Sequence, residues 1–167
     1  MLLAFLAFFV LSGIGVTIFG FQVVARVKAT ARESDAALRT VAWSLISAAD
    51  AGGAFPTDSE VLATSVLAGE RGPEDPLDGP LALETSDWPT TRQAAMAEFT
   101  PMPLGEALEI VEVAWPPTPD LPPVLSVGGR PSGLVADGPT IDHVNRWIRA
   151  AAARLANPAG EAAPAAG

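Results

Sequence analysis

Between Leu2 and Ala25 the chain carries no charged side chain, and from Arg26 to Ala51 it has no proline or glycine. The first run decides what the rest can be. A helix rises about 1.5 Å per residue, so the run reaches roughly 36 Å, against about 30 Å for the hydrocarbon core of a bilayer. A cleaved signal peptide needs a basic opening stretch and a shorter apolar core, and Met1-Leu2-Leu3-Ala4-Phe5 has no basic residue. An uncleaved transmembrane helix over residues 1–25 is therefore expected, with the lipid bilayer as its first partner. Ser12, Gly13, Gly15, Thr17 and Gly20 are small residues inside it. Such residues let helices approach closely in lipid, so these five are the candidate membrane-helix packing positions.

The helix is expected to continue past the apolar run. Leu38, Val41, Ala42, Leu45, Ile46 and Ala49 recur at helical spacing, which makes an apolar stripe on one face. Arg32, Asp35, Arg39 and Thr40 fall on the opposite face and read as solvated. Gly52-Gly53 is a stop signal. The expectation is one spine helix, roughly 74 Å long, whose second half (residues 26–51) is amphipathic and lays one stripe on a small domain.

Charge divides the chain the same way. The 167 residues carry 19 acids against 10 bases, a formal charge of -9. Residues 50–142 hold 16 of the acids against Arg71, Arg92 and Arg130, while both flanking segments are mildly basic. A nucleic-acid binder needs a basic face against phosphate, so no nucleic-acid partner is expected. Cysteine is absent, which removes disulfides, thiolate metal sites and cysteine nucleophiles.

Residues 52–157 read as a small acidic α+β domain. Thr57 and Glu60 have capping-box spacing, so a short helix is expected from Asp58 to Ala68, closed by Gly69. Glycines and prolines between residues 69 and 80 mark a loop. Trp88 to Phe99 is expected to be a short helix with Pro89 in its first turn. Leu108, Ile110, Val113 and Trp115 suggest a strand, ended by Pro116 and Pro117. Val124–Val127 and Leu134–Ala136 suggest two more. A small antiparallel sheet packed on the spine, followed by a C-terminal helix from Thr140, satisfies both apolar faces. Residues 158–167 are low in complexity and expected to be disordered.

The chemical inventory is thin. His143 is the sole histidine, beside Asp142, but no Gly-x-Ser-x-Gly accompanies it. Glu74/Asp75 and Glu109/Glu112 are carboxylate pairs of the kind glycosidases use. Glu109 and Glu112, three apart on a strand, would point to opposite faces. No phosphate loop, dinucleotide fingerprint or zinc-helix motif occurs. Trp43, Trp88, Trp115 and Trp147 read as core or interface aromatics. The expectation is no enzyme activity and no catalytic residues.

Lys28 to Asp58, reading KATARESDAALRTVAWSLISAADAGGAFPTD, resembles the solvent half of the spine helix in type IV pilins and type II secretion pseudopilins. Their spine is followed by a turn of the form Gly-x-(Phe/Tyr)-Pro-Thr, which Gly53, Phe55, Pro56 and Thr57 match. Asp75-Pro76-Leu77-Asp78-Gly79-Pro80-Leu81 is similar to the Asp-Pro-(Trp)-Gly-x-Pro loop of major pseudopilins, and Ser126-Val127-Gly128-Gly129 is a fainter echo of their Ser-x-Gly-x-Asp-Gly. The resemblance spans roughly residues 1–81. It departs from the family at the N-terminus. The family has a basic leader ending in glycine and a glutamate early in the apolar helix, whereas the first acid here is Glu33.

The resemblance implies a membrane-anchored structural subunit of a secretion or pilus-type assembly. Its partners would be other membrane or pilin-like subunits, reached through the N-terminal helix. It also implies a calcium site near the last strands. Arg130-Pro131 stands where the family's Asp-Gly falls, leaving Asp137 and Asp142 as the candidate oxygen ligands; no other cofactor is expected. Arg26, Lys28 and Arg32 follow the apolar run, which by the positive-inside rule puts the domain in the cytoplasm. The resemblance implies the reverse, a single-pass inner-membrane protein with its domain on the extracytoplasmic side, and that is the expectation adopted. The missing glutamate keeps a second reading in play: a non-polymerising single-span accessory or scaffold subunit of a larger membrane complex.

Overall fold

The computed structural model describes residues 2–68, 74–83, 85–118, 121–133 and 140–158, with the backbone alone for 2–19 and 68. It is α+β, with a long N-terminal helix, a two-stranded antiparallel sheet and a C-terminal helix. Helix α1 runs from Leu2 to Gly52 without interruption. It ends as its glycines predict. Gly53 takes a left-handed φ of 73° and donates its N–H to the Ala49 carbonyl at 2.8 Å, the single-bond glycine cap of a helix C-terminus. Among the described residues no helix is long and apolar enough to cross a membrane; the side chains of residues 2–19, on which the expected span depends, lie outside them.

Helix α2 (Ser59–Ala68) is capped one residue later than the capping box predicts. The Val61 N–H bonds Asp58 Oδ1 at 2.8 Å, while Thr57 only turns its hydroxyl toward the same carboxylate. A carboxylate at this position satisfies an orphan N–H and complements the helix dipole. The predicted closing residue Gly69 lies outside the described residues. Helix α3 is only Arg92–Met96, shorter than the expected Trp88–Phe99, because Thr91 caps its N-terminus by accepting from the Ala94 N–H.

The expected strand from Leu108 is a helix and then a strand. Helix α4 (Leu104–Ile110) uses the strong helix formers Leu, Glu and Ala, with Ala107 and Val111 turned into the core. Strand β1 follows at Glu112–Ala114 and pairs antiparallel with β2 (Val124–Ser126), Val113 opposite Leu125. Glu109 therefore sits on a helix and Glu112 on a strand, so their expected relation as opposite faces of one strand does not hold. The third expected strand, Leu134–Ala136, lies outside the described residues. At the edge of β2, Asn145 accepts the Leu125 N–H at 2.9 Å and returns its amide N–H to the Leu125 carbonyl at 3.0 Å. Asn145 belongs to α5 (Thr140–Ala156), which starts where its sequence predicts. The expected disordered tail lies outside the described residues from 159 onward.

The head does not sit on one stripe of the spine. Helices α2, α3, α4, α5 and strand β2 all pack on α1, and every residue from Ser34 to Ile46 is buried. Leu38, Val41, Leu45 and Ile46 meet Leu62, Leu125, Val144 and Ile148 in one core. The small domain is a collar closed around the second half of the helix.

One described non-glycine residue has a positive φ. Ala97 sits at φ 49°, ψ -111°, and the Phe99 N–H bonds the Met96 carbonyl at 2.9 Å. That is the first central position of a type II′ turn, which favours glycine. Such a conformation costs an alanine on the order of 1–3 kcal/mol, and glycine returns part of this as chain entropy. Ala97→Gly is expected to stabilise the protein by about 1 kcal/mol, read as a rise of about 2–4 °C in a thermal melt.

Candidate functional site

Helix α1 changes character at residue 30. From Gly20 to Ala29 it is exposed on all sides, and Phe21, Val24 and Val27 are 73%, 52% and 46% open. An apolar helix surface of this kind marks a contact with lipid or protein. The basic residues Arg26 and Lys28 stand on the same stretch and Arg32 just beyond it, all exposed. Where it meets the collar there is an open groove of about 910 Å³, walled by α1 on one side and by the segment Glu98–Met102 on the other.

Above the groove, the face of α1 expected to be solvated is a buried polar seam. Ser34, Asp35, Arg39, Thr40 and Ser44 are all enclosed. Asp35 Oδ1 accepts the Gly133 N–H at 2.8 Å. Arg39 Nη1 donates to the Ala95 carbonyl at 2.8 Å, and its guanidinium lies over the Phe99 ring at 5.1 Å and the Trp147 ring at 5.4 Å, within cation–π range. Burial pushes the Arg39 guanidinium below its ordinary value, while the charges of Asp35 and Glu98 pull it back up. The seam ties α1 to α3, to the loop after β2 and to α5 through polar contacts that hydrophobic spacing cannot register.

At the far end of the spine Asp50 clamps the loop that carries the second family motif. Its residue is 2% exposed. Oδ2 accepts the N–H groups of Asp78 (3.1 Å) and Gly79 (3.0 Å), and Oδ1 accepts that of Leu81 (2.8 Å). Gly79 has to be glycine: a Cβ there would lie 2.3 Å from the Asp50 carbonyl oxygen. Trp88 Nε1 then donates to the Leu81 carbonyl at 3.0 Å, and the Leu77 N–H to the Thr90 carbonyl at 2.8 Å. Sequence reasoning missed this clamp. One signal for it was present, since an acid in the last turn of a helix opposes the dipole and must find its donors elsewhere.

The residues singled out from sequence fall in three groups. The packing candidates Ser12, Gly13, Gly15 and Thr17 have side chains outside the described residues, and Gly20 is exposed with open space around it. The turn residues come together: Gly53 caps α1, Phe55 and Pro56 are buried, and Thr57 is exposed beside Asp58. Of the two calcium candidates, Asp137 lies outside the described residues and Asp142 is exposed in the first turn of α5. Among the described residues no group of three or more His, Asp or Glu is placed to hold a metal. His143 packs edge-on against Trp147 at 4.8 Å. Of the four tryptophans read as core or interface aromatics, Trp43, Trp88 and Trp147 lie in the core and Trp115 is half-buried against it. Glu112 accepts the Ser126 hydroxyl across the strand pair at 3.1 Å. The described residues place an exposed apolar and basic stretch of helix directly below the collar. No protein-family model, curated protein or solved structure matches the chain.

Proposed function

We propose that the protein is a membrane-anchored, pseudopilin-like structural subunit of a secretion or pilus-type assembly. The observation that carries this reading is the continuity of α1. One helix runs from the uncharged segment Leu2–Ala25 into the core of the head, so the stretch read as the anchor and the centre of the domain share one unbroken helix. The Asp50 clamp adds support, because it joins the two stretches that resemble the family, the end of the spine and the Asp75–Leu81 loop. The work of the subunit is then helix packing in the bilayer, with the acidic head held at a fixed height outside it.

A second reading, a non-polymerising single-span accessory subunit, is favoured by the collar itself. Lateral packing between spines needs a free helix face, and from Ser34 to Ile46 α1 has none. Contacts between copies would be confined to the exposed stretch below.

Both readings can be tested because the chain has no cysteine. Glu109→Cys, on the exposed side of α4, is expected to react with a membrane-impermeant thiol reagent in cells whose outer layer has been permeabilised. Reaction only after complete lysis would place the head in the cytoplasm and end the pseudopilin reading. Val24→Cys is expected to oxidise to a disulfide-linked dimer, the limit for one cysteine per chain, if subunits pack side by side. A Val24→Cys chain that stays monomeric while Glu109→Cys reacts selects the accessory subunit.

A further inference from the structure

The groove at the foot of the collar has a charge imbalance. Its floor on α1 is Ala25, Lys28, Ala29 and Arg32, and its opposite wall includes Phe99 and Met102. Two carboxylates, Glu33 and Glu98, also line it. Each faces a cation that does not itself line the groove. Arg130 lies 3.8 Å from Glu33, and the charge of Glu98 acts on Arg39. Among the described residues no such ion pair engages Lys28 or Arg32. These two are one helical turn apart, about 6 Å along the axis, and the alanines between and beside them leave the helix surface low. The net demand of the groove is for an anion that brings an apolar body with it.

Position supplies the source. Ala25 is the last residue of the uncharged run and also the lowest residue of the groove floor. If residues 2–25 cross a bilayer, Lys28 and Arg32 stand at the level of the lipid headgroups. We infer that this groove seats one anionic phospholipid, its phosphate between Lys28 and Arg32 and its glycerol and upper acyl carbons against Phe99 and Met102. The inference rests on the membrane-anchored reading and adds to it a lipid partner and a site. A seated lipid would fix the depth of the collar over the membrane, because its phosphate is bonded to the spine and its tails lie in the bilayer.

The test uses the full chain in detergent, with native mass spectrometry reading lipid adducts. Phosphatidylglycerol is expected to be retained in preference to phosphatidylcholine. Lys28→Gln with Arg32→Gln is expected to lower that retention by about 30-fold, from about 1 kcal/mol for each basic side chain near an anionic surface. Both residues are exposed, so the fold should be kept, and circular dichroism checks this. Arg26→Gln, a basic neighbour that does not line the groove, is expected to leave retention nearly unchanged. An equal loss with Arg26→Gln would mean diffuse attraction and overturn the site. Retention of glycerol phosphate as strong as that of the lipid would make the ligand a soluble anion and overturn it as well. A change of oligomer size in the double variant, with lipid preference intact, would assign the groove to a second copy. Vesicle flotation separates the two levels: a chain that floats without lipid preference loses only the groove, and one that does not float loses the membrane reading too.

Discussion

Asp50→Ala is expected to cost about 5 kcal/mol. Three N–H groups, those of Asp78, Gly79 and Leu81, lose their acceptor together. Hydrogen bonds to a charged group contribute about 1.5–3 kcal/mol each, and a buried donor left without a partner costs about as much. A domain of this kind has only about 5–15 kcal/mol in hand, so the variant should sit near the limit of folding. Asp50→Asn keeps one acceptor oxygen and turns an amide toward a donor, and is expected to fall between the two. A thermal melt of the full chain would read the difference, at about 2–4 °C per kcal/mol. The indole N–H signal of Trp88 is the local probe, because its bond to Leu81 depends on the clamped loop. An Asp50→Ala chain that melts with the parent would show that the clamp follows the fold and does not hold it.

Arg39→Ala is the second large effect. It removes a cation beside Asp35, orphans the Ala95 carbonyl and empties the space between Phe99 and Trp147. Breaking a buried charged arrangement from one side costs about 3–5 kcal/mol. Arg39→Met keeps the stem that fills the space and drops the charge, so it should recover a large part of the loss. If the two variants were equally damaging, the charge would be what the seam needs. If methionine fully restored stability, packing alone would account for the residue.

These two sites mark where the sequence stops being readable. The long helix, its glycine stop, α2, α5 and the proline- and glycine-rich loops were visible from local chemistry, because spacing and turn residues act within a few positions. Asp35 and Arg39 were placed on a solvated face for the same reason. Polar residues at helical spacing read as exposed, and nothing local says that Gly133 and Ala95 will deliver a donor and an acceptor to them. The segment from Leu104 to Ala114 failed differently. Its apolar residues fit a strand over the second half, but Leu104, Ala107, Leu108 and Val111 repeat at helical spacing over the first. In so short a run the two periods compete. Asn145 was unreadable in principle, since its paired bonds to the Leu125 backbone exist only once α5 has docked.

The collar sets an order of events during synthesis. Helix α1 is made first, and its partners come last: Gly133, which bonds Asp35, lies 98 residues downstream. At about 5–20 residues per second, the ribosome takes roughly 5–20 s to deliver it. For that interval the centre of the future core is a naked helix in water. A helix hydrophobic all round would be an aggregation hazard while it waited. The seam of Ser34, Asp35, Arg39, Thr40 and Ser44 gives the waiting helix one hydrated side, and the head later closes over it.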